Sequence, residues 1–231
     1  MKIKLDYGTT ENYNSIYAYL FQEKAKLPLV LILAGIHGNE MEGVWLANYF
    51  KSLWDKHFFY KNVRVLLVPE ANPDGVFANT RTNGNGVDLN RNLPTKDWNP
   101  KAFDEKYPPG PYAGSESENK ALIKLIDMYN PKAILSIHSF KDPQINANGH
   151  DETGVMNLAN HLLEFFPHKK ITRGEEMGYP TPGCLGTFAG YEKKIPTITL
   201  ELLRGDDEEK ILKENVDVIK AFVQYFNKKS K

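Results

Sequence analysis

Cysteine is almost missing from this chain. Cys184 is the single example, so no internal disulfide can form. An excess of charge of either sign is missing too: 29 Lys and Arg stand against 29 Asp and Glu, a formal net charge of zero. A nucleic-acid binder would show a basic excess or a clustered basic face, and a polybasic membrane-surface protein would show the same. The balance argues against both. No stretch reaches the roughly 18 consecutive apolar residues of a spanning helix. The opening MKIKLDYGTTENYNSIY lacks the apolar core of a signal peptide. A soluble, cytoplasmic protein is therefore expected. Repeats, low-complexity tracts and Gly/Ser-rich linkers are also lacking. The chain reads as a single domain over 1–231, long enough to bury a full core without staples. Its 41% hydrophobic and 25% charged content is that of a globular protein.

What is present is an alternation of short apolar runs and helical patterns. Leu29–Ala34, Val63–Val68, Ala133–Ile137 and Ile195–Leu203 are short and rich in β-branched residues. Near-continuous apolar strands imply burial on both faces, hence a largely parallel sheet covered by helices. Between and after them, Glu42–Leu53, Ser117–Tyr129, Met156–Phe166 and Glu209–Phe226 carry apolar residues at helical spacing, with Ser115 or Ser117 expected to cap the second. Strand and helix in repeated succession give an α/β domain. The segment Ala71–Gly114 differs: it is rich in Asn, Gly and Pro and has little periodicity. Such a segment inside a compact domain is usually functional, and its Trp98, Phe103 and Tyr107 argue against disorder.

Four pieces carry chemistry. His37-Gly38-Asn39-Glu40 follows the first apolar strand, where a His and a Glu three residues apart can converge on one metal ion. Gly35 and Gly38 allow close backbone approach there. Alone, the pattern is short and common and better suits a surface His and a first-turn Glu favoured by the helix dipole. His138 ends the run AILSI, and open α/β sheets place ligands at the carboxyl ends of their strands. Two His and one Glu from adjacent strand ends would form a three-ligand zinc site with one position open. Glu201 sits in the otherwise apolar TITLELL. A carboxylate there is costly to bury unless paired or used, and it suits a general base beside an activated water, or else points to a solvated face. Finally, Arg81 to Asn92 gathers Arg, Asn and Asp88. Arginine forks grip carboxylates, and Asp88 can orient a metal-binding His from behind. A polar, turn-rich loop is the plain alternative.

In order, H-x-x-E (His37–Glu40), N-P-D-G (Asn72–Gly75), R…GVDLNRN (from Arg81), I-H-S (Ile137–Ser139) and T-x-E-L (Thr199–Leu202) resemble the zinc carboxypeptidase family, the carboxypeptidase A superfamily, over roughly Ser15 to Leu203. The resemblance implies one α/β domain with a mixed, largely parallel twisted sheet flanked by helices. It implies one zinc ion per chain held by His37, Glu40 and His138, with Asp88 behind His37. Glu201 then looks like the base that activates water, and Arg81 like the arginine that polarises the scissile carbonyl. Asn90 and Arg91 look like the pair that holds the terminal carboxylate. Tyr179, upstream of the turn Pro182–Thr187, looks like the family's mobile tyrosine over the substrate. Within the family, Gly178–Phe188 is most similar to the bacterial murein tripeptide amidases, which cleave the γ-D-glutamyl–diaminopimelate bond in peptidoglycan recycling. Asn39, Met41 and the uncharged Gly183–Gly186 turn depart from the digestive carboxypeptidases.

The function so implied is zinc-dependent hydrolysis of the terminal amide of a small cell-wall peptide. Alternatives are a general metallocarboxypeptidase, an N-acyl amino acid deacylase of the aspartoacylase or succinylglutamate desuccinylase type, and a catalytically dead binding module. Asn72–Gly75 with the I-H-S and T-x-E-L context favours the peptidase side over the deacylase. His57, His150, His161 and His168 read as surface residues, Cys184 as a packing residue, and the terminal NKKSK as a solvated tail. Oligomeric state, homodimer or otherwise, is left open. A cleft holding Arg81, Arg91 and a zinc dication against Glu40 and Glu201 would be locally positive on a neutral body, which suits a small peptide with free carboxylates.

Overall fold

The computed structural model describes residues 2–22, 24–56, 60–102 and 104–227. His57, Phe103 and all but the first residue of NKKSK lie outside the described residues. Eight strands form one sheet: β1 (Lys2–Thr9), β2 (Ser15–Phe21), β3 (Leu29–Ala34), β4 (Arg64–Val68), β5 (Ile134–Phe140), β6 (Gln144–Asn148), β7 (Ile171–Arg173) and β8 (Thr197–Leu203). The helices are α1 (Met41–Lys56), α2 (Pro73–Ala78), α3 (Ser117–Tyr129), α4 (Val155–Leu163) and α5 (Glu208–Phe226). Strand order is β1-β2-β4-β3-β5-β8-β6-β7. The centre, β4-β3-β5-β8, is parallel; β1 and β2 pair antiparallel at one side, and β6 runs antiparallel to β8 at the other. The sheet is thus mixed around a parallel middle.

Period-two alternation explains the layering. In β3, Val30, Ile32 and Ala34 join one core with Leu46 and Phe50 of α1, Leu158 of α4 and Phe222 of α5. Leu29, Leu31 and Leu33 of the same strand join the opposite core with Leu122, Leu125 and Ile126 of α3. Every β3 side chain is buried, and each of its Leu, Val and Ile residues contributes about 1.5–3 kcal/mol relative to exposure. β1 shows the other pattern: its half-buried side chains Ile3, Leu5 and Tyr7 pack on the second core, while Lys2, Lys4 and Asp6 face solvent.

The central strands fall where the apolar runs predicted them, and α3 spans the expected residues. The cap of α3 differs. Glu116 precedes it and makes no side-chain cap bond; the Ser115 and Ser117 hydroxyls donate to the carboxylates of Glu116 and Glu118 instead. His150, His161 and His168 are half-buried rather than surface residues, because their rings pack on Tyr191, on Phe165 and Tyr225, and on Phe166. The segment Ala71–Gly114 contains α2, started by Pro73 with Asn72 accepting the Gly75 amide, and one short helical turn at Leu89–Arg91. Elsewhere it is held by amide side chains: Asn92 donates to the carbonyls of Pro109 and Tyr112, and Asn83 donates to Glu116 and Glu118.

Candidate active site

β3 and β5 are parallel neighbours, and β5 pairs with β8 so that His138 lies directly opposite Glu201. The carboxyl ends of three central strands therefore open at one place. His37 is delivered there by the turn after β3, and Glu40 sits just before α1. That turn presses on α2: a Cβ built on Gly38 would lie 1.9 Å from the carbonyl carbon and 2.1 Å from the oxygen of Gly75. Gly35, at φ +66, makes the bend out of the strand.

His37, Glu40 and His138 are all buried, and one ligand atom from each lies within 4.8 Å of the others. Glu40 Oε1 is 2.9 Å from His37 Nδ1, and its Oε2 is 2.8 Å from His138 Nδ1. The far ring nitrogens are engaged behind. His37 Nε2 is 3.1 Å from Asp88 Oδ1, and His138 Nε2 is 3.0 Å from Ser136 Oγ. A carboxylate only accepts, so Asp88 fixes the proton on His37 Nε2 and turns the Nδ1 lone pair into the cluster. The two Nδ1 atoms face each other at 3.2 Å. Two imidazole nitrogens and a carboxylate thus converge on one small, buried space. The nitrogen and oxygen donors match what zinc takes, so these residues could hold that metal.

The electrostatics agree. Burial pushes the Glu40 carboxyl up, but the charges and hydrogen bonds of His37 and His138 outweigh it and hold it well below the usual carboxylate range. Burial also works on Asp88, and His37, Arg81 and Arg91 overcome it to hold that carboxyl low. Glu201 goes the other way: burial, with help from Glu40, pushes it up to about 7 against His138, Arg81 and Arg204. A carboxylate whose proton affinity sits near neutrality is suited to exchanging protons there.

Arginines form the rest of the site. Arg81 places Nε 2.8 Å from Asp88 Oδ2 and Nη1 3.5 Å from Glu40 Oε1. Arg91 is buried, with Nη1 donating to the Asn90 carbonyl at 2.6 Å. Asn90 Oδ1 accepts from the Leu185 amide at 2.9 Å, tying the loop to the turn after Tyr179. All eight sequence-predicted residues, His37, Glu40, Arg81, Asn90, Arg91, His138, Tyr179 and Glu201, line one cleft of about 650 Å³.

The structure adds residues that sequence reasoning missed. The ring of Tyr107 lies beneath both guanidiniums, its centroid 4.7 Å from Arg81 and 5.1 Å from Arg91, and stacks on Tyr179 at 5.9 Å and 8°. Arg204, just past β8, lines the same cleft, and so do Asn146 and Asn148 of β6. The strand QINAN carried no apolar signal, yet all of it is buried. Buried amides in a strand beside Glu201 were the available clue. Cys184 packs at the cleft wall with its sulfur near Thr187 Oγ.

Among the described residues no helix is long and apolar enough to cross a membrane. A family model described as zinc carboxypeptidase, Peptidase_M14, matches residues 3–215. Murein peptide amidase A of Vibrio campbellii is 33% identical over 184 residues, 74% of this chain and 68% of the relative. The crystal structure of murein-tripeptide amidase MpaA from Escherichia coli O157 superposes with a TM-score of 0.70 at 26% identity, covering 99% of this chain and 93% of that one. Carboxypeptidase A from Helicoverpa armigera superposes with a TM-score of 0.82 at 18% identity, covering 98% of this chain and 68% of that one, a likeness of fold.

Proposed function

Because this chain belongs to the zinc carboxypeptidase family, we propose that it is a murein peptide amidase, hydrolysing the γ-D-glutamyl–meso-diaminopimelate bond of a small cell-wall peptide in the cytoplasm. The observation that carries the reading is a buried His37, Glu40 and His138 cluster with Glu201 opposite His138 and Arg81 against Glu40. Relatives about a third identical that carry the name murein peptide amidase A give the substrate class.

His37, Glu40 and His138 would hold a single zinc ion, with Asp88 fixing His37 from behind. Zinc bound there supplies a Lewis acid for the amide carbonyl and makes water acidic near pH 7. The chain's own groups do the rest. Glu201, buried opposite His138, takes the proton of the attacking water on its carboxylate and passes it to the leaving nitrogen. The Arg81 guanidinium, oriented by Asp88 and by the Tyr107 ring, stabilises the charge that develops on the carbonyl oxygen. Asn90 and Arg91 grip the free carboxylate of the leaving residue, which confines cleavage to the last bond. Tyr179 covers the leaving residue.

The test is incubation of zinc-loaded protein with L-Ala-γ-D-Glu-meso-diaminopimelate and mass spectrometry of the products. Release of diaminopimelate is expected. Cleavage of ordinary L-peptides or N-acyl amino acids in its place would refute the amidase reading and leave the family membership standing.

A further inference from the structure

We infer that Arg204 reads a free carboxylate on the acyl side of the scissile amide. The inference rests on the amidase reading and adds a specificity residue to it. β8 carries Glu201 and ends at Leu203, so the chain leaves the strand at the mouth of the cleft and Arg204 lines it. Its guanidinium is weakly committed. Nη2 lies 3.4 Å from Glu40 Oε1, 3.3 Å from the Asn39 carbonyl and 3.4 Å from Asn39 Oδ1, and the side chain is 40% exposed. A guanidinium has five donors in a fork that fits a carboxylate at two points, and none of these contacts uses it so.

Its place differs from that of the other two cleft arginines. Arg81 and Arg91 both lie over Tyr107 and make one wall. The contacts of Arg204 are instead with the turn that enters α1, at Asn39 and Glu40. Glu40 Oε1 is shared between Arg81 and Arg204, so both cations reach the His37, Glu40 and His138 cluster through one carboxylate oxygen. If Arg91 holds the carboxylate of the leaving residue, Arg204 is the cation left for the acyl residue. A glutamyl unit joined through its side chain keeps its own α-carboxylate there.

The experiment compares two peptides that differ at one group: L-Ala-γ-D-Glu-meso-diaminopimelate with the glutamyl α-carboxyl free, and the same peptide with it amidated. For the wild-type zinc enzyme, kcat/KM for the free acid is expected to exceed that for the amide by roughly ten- to a hundredfold, the worth of a charge-assisted pair. In Arg204→Gln the ratio is expected to fall close to one, and in Arg204→Lys to an intermediate value. A ratio taken on one preparation cancels differences in metal loading, and Arg204→Lys serves if the glutamine variant does not fold. Wild-type cleavage of both peptides at equal efficiency, or a wild-type ratio retained in the variants, overturns the role of Arg204 and leaves the amidase reading intact. Cleavage of neither peptide by the wild type overturns both.

Discussion

Replacing Asp88 with Asn removes one charge and almost no volume, and the structure sets the cost. Asp88 is fully buried. Its Oδ1 accepts from His37 Nε2 at 3.1 Å and from the Asn90 amide at 2.9 Å, and its Oδ2 accepts from Arg81 Nε at 2.8 Å. Asparagine keeps one acceptor oxygen. If that oxygen stays on His37 and Asn90, the new NH2 points at the Arg81 donor. If the amide flips, NH2 faces His37 Nε2, and the imidazole proton moves to Nδ1, where the metal would bind. Either arrangement loses a charge-assisted hydrogen bond, worth about 1.5–3 kcal/mol. Losing the partner behind a metal-bound His typically lowers affinity about 10–100-fold, or about 1.4–2.8 kcal/mol. The two estimates agree in size. Zinc affinity of Asp88→Asn, measured by competition with a chromophoric chelator at pH 7, is therefore expected to fall within that range while the circular dichroism spectrum is unchanged. An affinity within twofold of wild type would show that Asp88 does not set the His37 tautomer.

Three further outcomes are expected. Glu201→Gln should bind zinc with wild-type stoichiometry and lose about 10²–10⁴ in kcat; steady-state kinetics beside metal analysis checks this, and wild-type turnover would remove Glu201 from the proton transfer. Gly38→Ala forces a Cβ into the Gly75 and Val76 backbone at 1.9–2.2 Å, so the metal-free protein should lose at least about 1–3 kcal/mol of stability, read as a Tm lowered by several degrees; an unchanged Tm refutes the close approach. In metal-free protein Glu201 is raised to about 7, so its protonated form stabilises the fold below the ordinary glutamate value, and this stability is lost as pH rises through about 7. Glu40 and Asp88 are lowered, so their share is present above the ordinary carboxylate range and lost as pH falls. The Tm of wild type relative to Glu201→Gln should then drop as pH rises from about 4.5 to about 7; a difference that is flat or grows over that window would contradict the buried, raised carboxyl.

Much of the fold is legible because parallel strands buried on both faces must be apolar throughout. Leu29–Ala34 meets that demand, and it is β3. β6 escaped notice because Gln144, Asn146 and Asn148 are buried through hydrogen bonds rather than apolar contact: Asn146 donates to Thr172 and the Gly174 carbonyl, and Asn148 to Asn146. A pattern of hydrophobicity cannot report such a strand. The caps of α3 failed for a related reason. The serine hydroxyls close to the helix start donate to buried carboxylates, and Glu116 precedes the helix in their place.

At the site, the ordered set of motifs pointed to His37, Glu40, His138 and Glu201, and the fold brings these four to one cleft. Tyr107 had no such signal. It lies in an irregular segment, and its use comes only when chain reversal brings Arg81, Arg91 and Tyr179 onto its ring. Arg204 was equally silent, a charged residue following a strand like many others.

The single cysteine and the apolar runs set the limits within which the sequence worked: no internal disulfide, and an α/β core. The sequence by itself also determined which donors are available to a metal, because ligand chemistry belongs to side-chain type. Only the tertiary structure decided the tautomer of His37, the raised proton affinity of Glu201 and the walls on which three arginines stand. Those properties depend on distance and dielectric, and distances between residues 37, 88, 138 and 201 exist only once β3, β5 and β8 pair in register.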